Sequence, residues 1–155
     1  MPLKKILLLL FVMISEMLIS QNNWTPAQQE IIDTMEGFSE TTAPQGKGGD
    51  AYGTFLTETF SRWTLGSNKI NRKAEWIESV KSWFDIGWRV THRSSEYVEI
   101  LVEKNTAFIR RVVTETYLGP EGDTSTSTAA LTEIWKKTID DWQLDRVDVI
   151  PLDSN

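Results

Sequence analysis

Cysteine is missing from this chain of 155 residues, which excludes disulfides, thiolate nucleophiles and a cysteine-linked lipid anchor. Histidine occurs once, at His92, with no clustered acids or thiols around it, so no metal is expected. The glycine-rich loop Gln45-Gly46-Lys47-Gly48-Gly49-Asp50 does not have the residue order of a phosphate-binding loop, no nucleophile-elbow sequence is present, and no cofactor is expected. Basic residues are in the minority: 16 against 22 acidic ones give a formal charge of -6, a poor match to nucleic acid or to an anionic membrane surface. A long apolar run is also lacking. Ile6 to Ile14 follows Lys4-Lys5 and is too short to cross a bilayer comfortably.

The order of parts in residues 1–20 is that of a secretory signal peptide, with a basic start, an apolar centre and a small residue, Ser20, before Gln21-Asn22-Asn23. Cleavage there would leave residues 21–155 as one secreted or periplasmic domain of net charge -7, with no membrane attachment. The alternative is an uncleaved N-terminal anchor. Glu16 interrupts the apolar segment and no stop-transfer pattern follows, which favours removal.

The whole chain is 40% apolar and 10% aromatic, enough for one core. Thr25-Pro26-Ala27-Gln28 predicts a capped helix start, with Ile31, Ile32, Met35 and Phe38 on one stripe and a stop before Pro44. Asp50 predicts the cap of a second helix carrying Tyr52, Phe55, Leu56 and Phe60. Ser61 to Asn71 reads as a small hairpin or extended loop. A third helix follows from about Arg72, with Trp76, Ile77, Val80, Trp83 and Phe84 inward and Gly87 as its stop.

From Trp88 onward only strand patterns occur, with turns at Lys104-Asn105, Pro120 to Asp123 and Asp140-Asp141. Helices first and strands afterwards predict an α+β fold with an antiparallel sheet. The three long strand segments, TAFIRRVVTETYL, STAALTEIWKK and WQLDRVDVIP, carry apolar residues on both faces. Such strands are expected where one face packs on helices and the other meets a second subunit.

The order of elements, with FLTETFSRWTLGSNKINRKAEW, VEKNTAFIRR and EIWKKTIDDWQLDRVDVIPL, resembles the nuclear transport factor 2-like superfamily, in particular its SnoaL-like and DUF4440 branch. That resemblance implies a cone-shaped, cystatin-like α+β fold with three N-terminal helices packed on a curved antiparallel sheet. It also implies a pocket between sheet and helices, and a homodimer through the outer face of the sheet. The superfamily includes ketosteroid isomerase, scytalone dehydratase, limonene epoxide hydrolase and polyketide cyclases, so the fold does not choose the chemistry. Isomerase-like members carry a basic carboxylate just after the second helix. Here Phe60-Ser61-Arg62-Trp63-Thr64 holds no acid and the nearest is Glu58, against the isomerase activity.

The pocket-facing strand positions implied by the resemblance are Phe108, Arg110 and Val112, then Leu131, Glu133 and Trp135, then Arg146, Asp148 and Ile150. Glu133 and Asp148 would then project near Arg110 and Arg146, either as an acid/base pair with separated pKa values or as an ion-paired network closing the pocket floor. His92 is the one side chain with an ordinary pKa near neutrality, and it joins Glu133 and Asp148 as a candidate catalytic group. Tyr52, Trp63, Arg110, Trp135 and Arg146 are the candidate ligand-binding residues. Trp76, Trp83 and Trp88 either line a cavity or fill the core. The first expectation is a domain that binds a small, partly apolar molecule. The alternatives are a cofactor-independent lyase, isomerase or hydrolase, and a non-catalytic dimerisation module.

Overall fold

The computed structural model describes residues 24–152, so the expected leader at residues 1–20 lies outside the described residues. Helix α1 (Pro26–Glu40) starts as its sequence predicts: the Thr25 hydroxyl accepts from the Gln28 N–H while the Gln28 side chain accepts from the Thr25 N–H. Its buried stripe is Ile31, Ile32, Met35 and Phe38. Polar ties help to fix how it lies on the sheet, among them Lys137 to Glu30 at 2.5 Å. Gln28 donates to the Ile100 carbonyl at 2.8 Å, and the Thr34 hydroxyl donates to Asp141 at 3.0 Å.

The second helix is shorter than predicted. Helix α2 is only Gly49–Thr54, and Asp50 lies inside its first turn; the capping position is Gly48, whose φ of 74° suits glycine. Leu56, Thr57 and Phe60 belong to strand β1 (Leu56–Thr64). The i, i+4 spacing of buried Leu56 and Phe60 looks helical in sequence. Residues four apart also share a face in a strand, and the ladder is irregular here: Leu56 faces Leu144 and Ser61 faces Arg146, so that five residues of one strand span two of the other.

Strand β2 (Ile70–Arg72) turns back on β1, pairing Trp63 with Ile70, and leads directly into helix α3 (Lys73–Asp85). Strands β3 (Arg89–Glu103), β4 (Thr106–Leu118), β5 (Thr124–Lys137) and β6 (Trp142–Pro151) then form an antiparallel meander. The six-stranded sheet has the order β2-β1-β6-β5-β4-β3, with β1 parallel to β6. Lys104, at φ 53°, sits in the two-residue turn between β3 and β4.

Bulges decide which side chains reach the core. In β6 the register shifts between Leu144, opposite Trp135, and Arg146, opposite Ile134, leaving Asp145 as an extra residue. Trp142 and Leu144 face inward before the bulge, and Val147 and Val149 after it. Asp145 accepts hydrogen bonds from Thr57 at 2.7 Å and Thr59 at 2.6 Å and pairs with Lys136 at 2.8 Å. Burial alone would raise its pKa, but these donors outweigh it and hold the carboxyl below its ordinary value.

A depressed carboxyl pKa contributes stability that is present above the unfolded-state value of about 4 and is lost as pH falls through the lower folded value. Asp145→Asn is therefore expected to be less stable than the native chain at pH 6, with the gap narrowing as pH falls below the ordinary carboxyl value of about 4 in parallel urea titrations. A gap that does not change with pH would exclude this role for the Asp145 charge.

Candidate functional site

Between the concave face of the sheet and the helices lies a cavity of about 620 Å³. Its floor alternates along three strands. Arg111, Val113, Glu115 and Tyr117 come from β4, then Ala129, Leu131 and Glu133 from β5, then Leu144, Val147 and Val149 from β6. The roof is Phe38 of α1, Tyr52 of α2, and Trp76, Val80 and Trp83 of α3. Strand β1 contributes Arg62 and Thr64, and β3 contributes Val90 and Arg93. Val80 is the buried residue of helix α3, while Trp76 and Trp83, which line the space beside it, are half-buried.

Close helix packing sets the roof. A Cβ on Gly49 would come within 2.8 Å of the Lys81 backbone nitrogen, and one on Gly53 within 2.7 Å of the Ile77 side chain. These glycines let α2 touch α3, which brings the Trp76 indole to donate to the Tyr52 hydroxyl at 3.1 Å. Burial raises the Tyr52 pKa, only partly opposed by that bond and by the charge of Arg62.

The charged side chains fall into three groups. Arg111 donates to both oxygens of Glu133, at 2.9 and 3.0 Å, and to the Ser95 hydroxyl at 3.0 Å. Burial pulls the Arg111 pKa down, and the Glu133 carboxylate more than offsets it, so the guanidinium is held above its ordinary value. Arg93 pairs with Glu115, whose other oxygen accepts from the Tyr117 hydroxyl. Burial, then the Glu115 charge and hydrogen bond, push the Tyr117 phenol up to about 12. Arg62 stands apart. It donates to the Thr64 hydroxyl at 2.7 Å and lies over the Trp76 ring at 4.2 Å, and it makes no ion pair with a described carboxylate.

Several expected site residues are placed elsewhere. Glu133 and Leu131 do face the cavity and Tyr52 roofs it, but Trp135 is 0% exposed in the core, edge-on to Phe38 at 5.7 Å, and does not line the space. Phe108, Arg110 and Val112 occupy the opposite face of β4, where Arg110 pairs with Glu99 at 3.2 Å. The reason is pairing: Ile109 lies opposite Glu133, and residues directly opposite share a face, so the odd-numbered residues of β4 must accompany Glu133. The bulge at Asp145 likewise turns Arg146, Asp148 and Ile150 outward.

Arg146, Asp148 and Trp63 instead line a shallow depression of about 400 Å³ on the outer side, with the Trp63 indole donating to the Ser67 carbonyl at 2.9 Å. His92 is exposed on β3 and takes no part in the cavity. Glu58, the nearest acid to the isomerase-type position, is exposed and bound to Lys73 at 2.6 Å. The cavity residues that strand alternation alone did not find are Arg62, Arg93, Arg111, Glu115 and Tyr117. In a β4–β5 hairpin closing between Gly119 and Asp123, Ile109 falls opposite Glu133 and Arg111 opposite Leu131, and that register would have put Arg111 on the Glu133 face.

Three helices and a curved sheet enclosing a cavity define a cystatin-like α+β domain, and solved structures agree. A conserved protein from Planctomyces limnophilus is 18% identical over 81% of this chain and 98% of its own, with a TM-score of 0.66. A ketosteroid isomerase-like protein from Erwinia carotovora atroseptica is 15% identical over 84% and 100%, at 0.63. An NTF-2 like protein of unknown function from Shewanella oneidensis is 18% identical over 81% and 99%, at 0.61. The chain thus has the nuclear transport factor 2-like fold. No protein-family model matches the sequence, and no curated protein does.

Proposed function

We propose that this chain is an exported SnoaL-like binding domain whose cavity takes up a small, partly apolar molecule, with a second copy of the chain meeting the outer face of the sheet. The cavity carries this conclusion. About 620 Å³ lies within the roughly 300–1,000 Å³ of small-molecule sites, and its walls are mainly aliphatic and aromatic with a few convergent polar groups. The exposed Leu101 and Ile150 on the outer side support the second copy. An acid/base enzyme built on Glu133, Asp148 and His92 is less well supported, because the three are not together and both oxygens of Glu133 are taken by Arg111.

Native mass spectrometry of the protein purified from its own host tests this reading, reporting the start of the mature chain and any retained molecule together. A bound mass is expected on the native chain and on Ile139→Trp, an exposed turn position, and is expected to disappear in Ala129→Trp, whose indole would fill the cavity. A native chain without bound mass, or one whose bound mass survives Ala129→Trp, would overturn it.

A further inference from the structure

Within the cavity the sign of charge is the reverse of that of the whole chain. The sequence as a whole is at -6, whereas the cavity is lined by three guanidiniums, Arg62, Arg93 and Arg111, and only two carboxylates, Glu115 and Glu133. Both carboxylates are committed, Glu133 to Arg111 and Glu115 to Arg93 and Tyr117. The positive charge left over is at Arg62.

The Arg62 guanidinium is half-buried, and of its five N–H groups one bond, to Thr64, is formed with a described side chain. The guanidinium carbon lies 4.2 Å from the Trp76 ring centroid, which suits a stacked arrangement with the donors at the edge. A stacked, planar guanidinium with a free edge suits the two oxygens of a carboxylate or sulfonate. Burial lowers the Arg62 pKa, and Tyr52, Tyr117 and Glu115 reach it only through space. A desolvated cation without its own carboxylate is costly, and an incoming anion would remove that cost. The neighbouring apolar wall, Val147, Val149 and Leu144, would receive the uncharged part of the same molecule.

We propose that the cavity binds a small anion with an apolar body, its carboxylate or sulfonate seated on Arg62. This rests on the binding function proposed above and adds the ligand's charge. The matched dyes 8-anilinonaphthalene-1-sulfonate and N-phenyl-1-naphthylamine, which differ by the sulfonate, separate the two claims by fluorescence titration. The native chain is expected to bind the sulfonate at least about tenfold more tightly than the neutral dye, the size of one charged hydrogen-bonded contact. Arg62→Met is expected to abolish that preference by weakening the sulfonate alone, Arg62→Lys to keep part of it, and Arg110→Met, on the outer face, to keep all of it.

Equal affinity of the native chain for both dyes would overturn the anion while leaving the binding function standing. Equal weakening of both dyes in a folded Arg62→Met would overturn it too, because Arg62 would then act only on cavity shape. If neither dye binds the native chain, both claims fall. Should Arg62→Met not fold, the native preference itself decides: it is expected to shrink between about 0.05 M and about 0.5 M salt, and a preference indifferent to salt would count against Arg62.

Discussion

Glu133→Ala is expected to lower the unfolding free energy by about 3–5 kcal/mol, since removing one member of a buried ion pair leaves the other charged, desolvated and unpaired. The geometry puts this pair at the severe end. Glu133 is 1% exposed and Arg111 5%, the contact is bidentate, and what else meets the guanidinium is uncharged at neutral pH, the Ser95 hydroxyl and the Tyr97 phenol. Stranding Arg111 beneath the cavity is therefore the dominant cost, larger than the loss of the Glu133 methylenes. The double variant Arg111→Met with Glu133→Leu is expected to recover most of that loss, because two apolar side chains of similar volume need no partner. Urea denaturation with an unchanged m-value is the measurement. A single-variant loss below about 1 kcal/mol, or a double variant no better than the single, would show that the pair is open to water from the cavity.

The same pair shows what the sequence could and could not reveal. Helix α1 was legible because its cap, its proline and its apolar stripe all lie within one short stretch and agree. The antiparallel meander was legible from turn residues at Lys104-Asn105, Pro120 to Asp123 and Asp140-Asp141. Glu133 was placed on the cavity side through the family resemblance, together with Leu131 and Trp135, since β5 is apolar on both faces. Its partner was not, since Phe108-Ile109-Arg110-Arg111-Val112-Val113 is apolar on both faces with an arginine on each, and only strand pairing chooses between them. Arg146 and Asp148 were misplaced by one inserted residue. The bulge at Asp145 is stabilised by Thr57 and Thr59, nearly ninety residues earlier, so nothing local in β6 announces it.

The largest misplacement, strand β1 taken as the end of a helix, leads to the other large effect: Phe60→Ala is expected to cost about 3–5 kcal/mol, the range for deleting a buried aromatic side chain. Phe60 is 1% exposed and belongs to the same core as Leu56, Ile109 and Trp135, from which the wall behind the cavity is built. A helix with Leu56 and Phe60 on its inner stripe would suffer as much, so this loss alone does not distinguish the two conformations. Thr59→Ala does. On the exposed side of a helix, alanine in place of threonine would stabilise by a few tenths of a kcal/mol, about 0.5 at most. On β1 it removes the 2.6 Å bond to Asp145 that secures the bulge, and is expected to destabilise by about 1 kcal/mol. The two conformations thus demand opposite signs at Thr59 for the same sign at Phe60. A stabilised Thr59→Ala in thermal or urea denaturation would mean that Leu56–Phe60 continues α2, that the Asp145 bulge has lost its support, and that Arg62 no longer reaches the cavity.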